Sequence, residues 1–175
     1  MADSISVAML GASGRMGQSI IPLLAADAGG LRLSGALVAP GDNAIGQDAG
    51  SFAGAAPLAI AITDDPRRAL AGASVAIDFT LAEASVRNAA LCRELDVPLV
   101  IGTTGHSGAQ LAEVEEIARG LPVVLAAFRL MNQPLLPSAS ADGVVQVDPE
   151  VKSSITVVSS RFTGRPVVAN ESTSM

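Results

Sequence analysis

From Ile5 the chain alternates: Ile5, Val7 and Met9 on one side, Ser6 and Ala8 on the other, before Leu10 runs into glycines at positions 11, 14 and 17. A period of two predicts a strand, and the glycines predict a turn into a helix over residues 15–25. The same pattern, an apolar run followed by a small or polar turn and a helical stretch, then recurs. Residues 31–38 read as a second strand, 58–63 as a short one, 75–79 as a compact apolar one, 97–101 and 121–126 as two more. Between them, 66–70 and 82–95 read as helices; in the longer one, Ala82, Val86, Ala89, Ala90 and Arg93 recur at helical spacing. Ser107 is placed to cap a further helix that runs to Arg119, with Gly120 as its stop signal. Residues 39–54, rich in Gly and Asp, read as a long loop. Strands alternating with helices of this length predict an α/β fold: an open, mostly parallel sheet with helices on both faces. Beyond Ala127 the pattern dissolves, leaving short β-like runs at 144–147, 155–158 and 167–169 in an irregular tail.

The first turn carries the clearest chemistry. Gly11 permits a tight turn, Gly14 lets a phosphate approach the backbone, and Gly17 lets the helix pack close to the strand. The helix N-terminus then presents free N–H groups and a positive dipole end to an anion. The spacing, G-x-x-G-x-x-G, is a variant of the dinucleotide fingerprint. A glycine-rich turn without a ligand is the plainer alternative; the strand before it and the helix after it favour the ligand turn.

Composition narrows the classes. A chain of 175 residues suffices for one domain with a real core, and 49% apolar against 16% charged residues is not a disordered composition. With no Trp or Tyr and four Phe, that core must be aliphatic, which suits a buried parallel sheet. A net charge of −6 argues against a nucleic-acid partner. Cys92 is the single cysteine, so neither a disulfide framework nor a thiolate metal cluster forms within the chain, and no metal site is expected. The first residues lack a secretory pattern and no apolar run is long enough for a membrane, so a cytoplasmic protein is expected.

Two other strands end in polar turns, Asp78-Phe79-Thr80 and Gly102-Thr103-Thr104-Gly105. In an open α/β sheet, turns beyond the carboxyl ends of the strands share one crevice. Thr80, Thr103 and Thr104 would offer it hydroxyl and N–H groups suited to a ribose or carboxamide. Alone, GTTG reads as a turn after a buried strand; beside the first turn, ligand binding is favoured.

GASGRMG, then DFT, VIGTTG and PVVLAA, with GQDAGSFAG between the second and third strands, together resemble the 4-hydroxy-tetrahydrodipicolinate reductase (dihydrodipicolinate reductase) family. The resemblance spans Ile5 to Ala127. It implies a Rossmann-like domain over residues 1–127 that binds NADH or NADPH, and an oxidoreductase that reduces a small cyclic dicarboxylate in the diaminopimelate route to lysine. It also implies that Gly11, Ala12, Ser13, Gly14, Arg15 and Met16 hold the cofactor's pyrophosphate and adjoining groups. Gly102, Thr103 and Thr104 would lie on the nicotinamide side, with Ala126 and Ala127 closing the site.

The departures from the family are as specific. At the end of the second strand, where the family has an acidic residue followed by Arg, stand Val38 and Ala39. Leu81 follows DFT in place of a basic residue, and Phe128-Arg129-Leu130-Met131 replaces the family's Asn and its Ser/Gly-rich hinge. The family's catalytic domain carries a histidine pair and a nearby lysine, whereas this chain has His106 and Lys152 alone. Residues 128–175 are therefore expected to be a divergent, truncated or frame-altered tail in place of the substrate domain, with no catalytic residue assigned. His106 reads as a surface residue ahead of a helix, Asp78 as a turn residue, Cys92 as core, and Arg161 and Arg165 as surface arginines. The expected function is a reductase of this type, catalytically incomplete in this chain; the alternative is a non-catalytic nucleotide-binding or regulatory module. No feature of the sequence specifies an oligomeric state.

Overall fold

Strand and helix alternate through β1 (Ile5–Leu10), α1 (Arg15–Ala26), β2 (Leu31–Leu37), α2 (Ala49–Phe52), β3 (Ile62–Thr63), α3 (Pro66–Leu70), β4 (Val75–Asp78), α4 (Ala82–Glu94), β5 (Leu99–Ile101), α5 (Gly108–Ala118) and β6 (Val123–Ala127). The structure, a computed structural model, describes residues 4–26, 30–127, 144–145 and 154–158. The break expected at 27–30 falls mostly outside these residues. So do the irregular stretch after Ala127, the run 167–169, Lys152, Arg161 and Arg165.

The strands form one sheet in the order β3-β2-β1-β4-β5-β6-β8-β7, where β7 is Val144–Val145 and β8 is Ser154–Val158. Pairing is parallel from β3 to β6. At the far edge β8 runs antiparallel to both β6 and β7. Thus 144–147 and 155–158 each contain a strand that joins the sheet.

The alternation along β1 sorts the core onto the two faces. Val7 and Met9 join Ile21 and Leu24 of α1 and Ala49 of α2 on one side. Ala8 and Leu10 join Leu70 of α3, Val86 and Ala89 of α4 and Val114 of α5 on the other. Both clusters are aliphatic, and covering both faces is what lets parallel strands be apolar at consecutive positions.

The loop expected over 39–54 contains the short helix α2, and the strand expected at 58–63 shrinks to Ile62–Thr63. One side chain accounts for both. Asp48 caps α2 by accepting from the Ser51 N–H at 2.9 Å, and it also accepts from the N–H groups of Leu58 and Ile60. Residues 58–61 therefore fold back along 46–49, with Ala59 at positive φ, instead of extending the sheet. These three N–H donors hold the Asp48 carboxyl below its ordinary range. At α5 the expected cap is in place: the Ser107 hydroxyl accepts from the Gln110 N–H, and the Gln110 side chain accepts from the Ser107 N–H.

Candidate functional site

Strand order reverses at β1, which has β2 on one side and β4 on the other. Ligands of open α/β sheets bind beyond the carboxyl ends of the strands at such a switch point. The turn 11–17 leaves β1 there, directly beside the turn that leaves β4.

The backbone of the first turn is set by close contacts. Gly11 has φ +87°, and a Cβ there would stand 2.7 Å from the Phe79 carbonyl oxygen. Its N–H and that of Ala12 both donate to the Leu37 carbonyl at 2.9 Å, tying the turn to the end of β2. Gly17 is buried against the turn itself; a Cβ would overlap the Gly11 carbonyl oxygen and lie 2.6 Å from that of Ala12. By contrast Gly14, Arg15 and Met16 are exposed, and a Cβ at Gly14 meets only the Gly11 carbonyl oxygen at 3.2 Å. The first turn of α1 carries no acidic residue. Arg15 and Met16 at the start of α1 are exposed, and the first N–H groups of a helix lack intrahelical acceptors, an arrangement that fits an anion.

Asp78, fully buried at the end of β4, joins the second turn to the third. Its Oδ1 accepts from the Thr80 N–H (2.8 Å), the Thr80 hydroxyl (2.6 Å) and the Thr103 hydroxyl (3.0 Å); its Oδ2 accepts from the Asn88 amide of α4 (3.1 Å). The Gly102 N–H donates to the Asp78 carbonyl at 2.8 Å, and the Phe79 ring lies over Gly102. Phe79 thus touches Gly11 through its carbonyl and Gly102 through its ring. Thr103 is buried and gives its hydroxyl proton to Asp78, whereas Thr104 beside it is exposed. Ala126 and Ala127 end β6, next to β5, one strand further from the switch point.

No role was read from the sequence for Asn88 or Asp42, and Phe79 entered only as part of the turn Asp78-Phe79-Thr80. Asn88 had a visible signal, a polar residue amid the apolar stripe of α4. Phe79 had none, because its part is played by backbone and ring position.

His106 differs from its expected surface placement. It is half-buried, and its Nε2 is buried with no hydrogen-bond partner among the described residues. Burial pushes its pKa below the ordinary 6.5, against the opposing pull of the Asp78 and Glu83 carboxylates. Cys92 is core, as expected: burial, with the Asp78 charge adding to it, pushes its thiol up to about 12.

A parallel sheet with a glycine turn at its switch point, leading into a helix N-terminus, defines the dinucleotide-binding class of α/β domains. Within that class the chain belongs to the dihydrodipicolinate reductase family: the family described as "Dihydrodipicolinate reductase, N-terminus" matches residues 5–127. It is 52% identical over 119 residues to the 4-hydroxy-tetrahydrodipicolinate reductase of Anaeromyxobacter dehalogenans strain 2CP-1, covering 68% of this chain and 44% of that protein. To the protein of the same name from Geobacter sulfurreducens it is 44% identical over 120 residues, again covering 44% of the relative. The chain thus spans less than half the length of these curated relatives. Among solved structures, the amine dehydrogenase of Mycobacterium smegmatis shares the fold, with a TM-score of 0.57 and 22% identity over 71% of this chain and 39% of that one.

Proposed function

We propose that this chain is the NAD(P)H-binding part of a 4-hydroxy-tetrahydrodipicolinate reductase, and that alone it binds the dinucleotide without turning over substrate. The observation that carries the binding half is the switch-point crevice, where the glycine turn, Thr80 and GTTG are laced together by Phe79 and Asp78. Gly11, Ala12, Ser13, Gly14, Arg15 and Met16 would hold the pyrophosphate and adjoining groups. Gly102, Thr103 and Thr104 would border the nicotinamide, with Ala126 and Ala127 at the edge. The exposed Thr104 is the residue of the third turn that reaches a ligand, and Thr103 positions that turn through Asp78. When bound, the cofactor supplies a hydride; the chain's own groups bind and orient it.

The second half rests on composition. Reduction of a small cyclic dicarboxylate requires oriented substrate and a proton donor. One histidine and one lysine do not make the family's histidine pair with its neighbouring lysine. Loss of a positioned acid alone removes ~10²–10⁴-fold of rate.

Calorimetry with NADH and NADPH on the wild-type chain and on Gly14→Val tests binding. The wild type should bind and the variant should not, while both keep the same far-ultraviolet circular dichroism; equal binding by both defeats the assignment. NADPH oxidation with freshly generated substrate, beside a full-length relative, tests the rest. Turnover within tenfold of the relative contradicts the claim that this chain alone is inactive.

A further inference from the structure

The end of β2 lacks the group that ordinarily contacts the adenosine ribose: Val38 is buried in the core and Ala39 presents only a methyl group. The chain then turns sharply, the Asp42 N–H donating to the Ala39 carbonyl at 3.2 Å and the Ile45 N–H to the Asp42 carbonyl at 3.2 Å. This turn brings the Asp42 side chain back over the glycine loop. Its Oδ2 accepts from the Ser13 hydroxyl at 2.7 Å, and its Oδ1 accepts from the Ala44 N–H at 2.8 Å. The seam is continuous: Gly11 and Ala12 bond to Leu37 at the end of β2, and Ser13 bonds to Asp42 one step further out.

We infer that Asp42, anchored by Ser13, takes over the ribose contact that Val38 and Ala39 cannot make and selects NADH over NADPH. Resting on the dinucleotide-binding reading above, this deepens it by assigning the cofactor preference.

Two properties of the carboxylate support the assignment. Each oxygen accepts one protein hydrogen, and an ionised carboxylate has about four lone-pair sites, so acceptor capacity remains for vicinal ribose hydroxyls. The Ala44 N–H and the Ser13 hydroxyl hold Asp42 below the ordinary carboxylate range, so the group is charged at neutral pH. A 2′-phosphate placed there meets a like charge. The opposing cation is Arg15, exposed at the start of α1 and in no ion pair among the described residues. Arg15 would favour a phosphate and Asp42 oppose it; of the two, Asp42 is the one held in place by two hydrogen bonds.

The test is titration calorimetry of the full chain with NADH, NADPH, ADP and 2′,5′-ADP; the last pair confines the contrast to the ribose substituent. The wild type should bind NADH at least tenfold tighter than NADPH, and ADP tighter than 2′,5′-ADP. Asp42→Asn should shrink both ratios to threefold or less. Ser13→Ala, which leaves the Ala44 bond in place, is the second variant and should give intermediate ratios. A wild type that prefers NADPH, or variants that keep the wild-type ratios, overturns the inference and points to Arg15. A wild type that binds none of the four defeats the dinucleotide reading itself, and this one with it.

Discussion

The Thr103 hydroxyl donates to the buried carboxylate of Asp78 at 3.0 Å, joining the turn after β5 to the strand end of β4. The next residue, Thr104, is exposed. Of two adjacent threonines in one turn, one is bonded into the fold and the other is open to solvent. Thr103→Val leaves Asp78 short of a donor in a buried place and should destabilise the fold by about 1–3 kcal/mol. Thr104→Val should change stability by no more than ~0.5 kcal/mol, yet weaken dinucleotide binding. Urea denaturation alongside calorimetry checks both; equal effects of the two variants on stability would refute this division.

The glycines of the first turn divide in the same way. Gly17→Ala forces a methyl group into the Gly11 and Ala12 backbone, which has no flexible side chain to yield, and should cost roughly 1–3 kcal/mol or more. Gly14→Ala meets one oxygen at 3.2 Å from an exposed position, and its melting temperature should stay close to that of the wild type. Thermal denaturation of the two variants decides it.

The chain has one histidine, so its titration is directly observable by proton NMR. Burial lowers the folded-state pKa of His106 below 6.5, so the folded protein takes up this proton less readily than the unfolded chain. Stability is therefore complete above about pH 6.5 and is lost as the pH falls through the folded pKa. His106→Gln should remove this loss, its melting temperature varying less than the wild type's between pH 7 and 5. The lowered carboxyls of Asp42 and Asp48 act in a separate window, below their ordinary 3.8. A midpoint at or above 6.5 in the folded protein would count against the buried placement of the ring.

With its thiol pushed up to about 12, Cys92 has almost no thiolate at neutral pH and is fully buried. A disulfide reagent such as dithiobis-nitrobenzoate should leave it unmodified in the native protein and label it once denaturant is added. Rapid labelling of the native protein would contradict the placement of Cys92 in the core.

Much of this molecule was local and therefore legible. Alternation in residues 5–10, the three glycines and the Ser107 cap act over one or two turns of chain, and β1, α1 and α5 formed close to where those signals placed them. GASGRMG, DFT and VIGTTG, the motifs that carried the resemblance, all stand within residues 5–127, the stretch that the family matches. Local pattern failed where a polar side chain reached across the chain. Asp48 took N–H groups at Leu58 and Ile60 that periodicity had assigned to a strand. The bond that ties Thr103 to Asp78 likewise spans a distance no spacing rule covers. Residue type and period determined the strands, helices and the glycine turn, because strand alternation, capping and turn conformation are properties of neighbouring residues. Only the folded sheet decided which loops meet: placing β1 between β2 and β4 brings Ser13 to Asp42 and Phe79 to Gly11, and those contacts exist only once distant strands have paired.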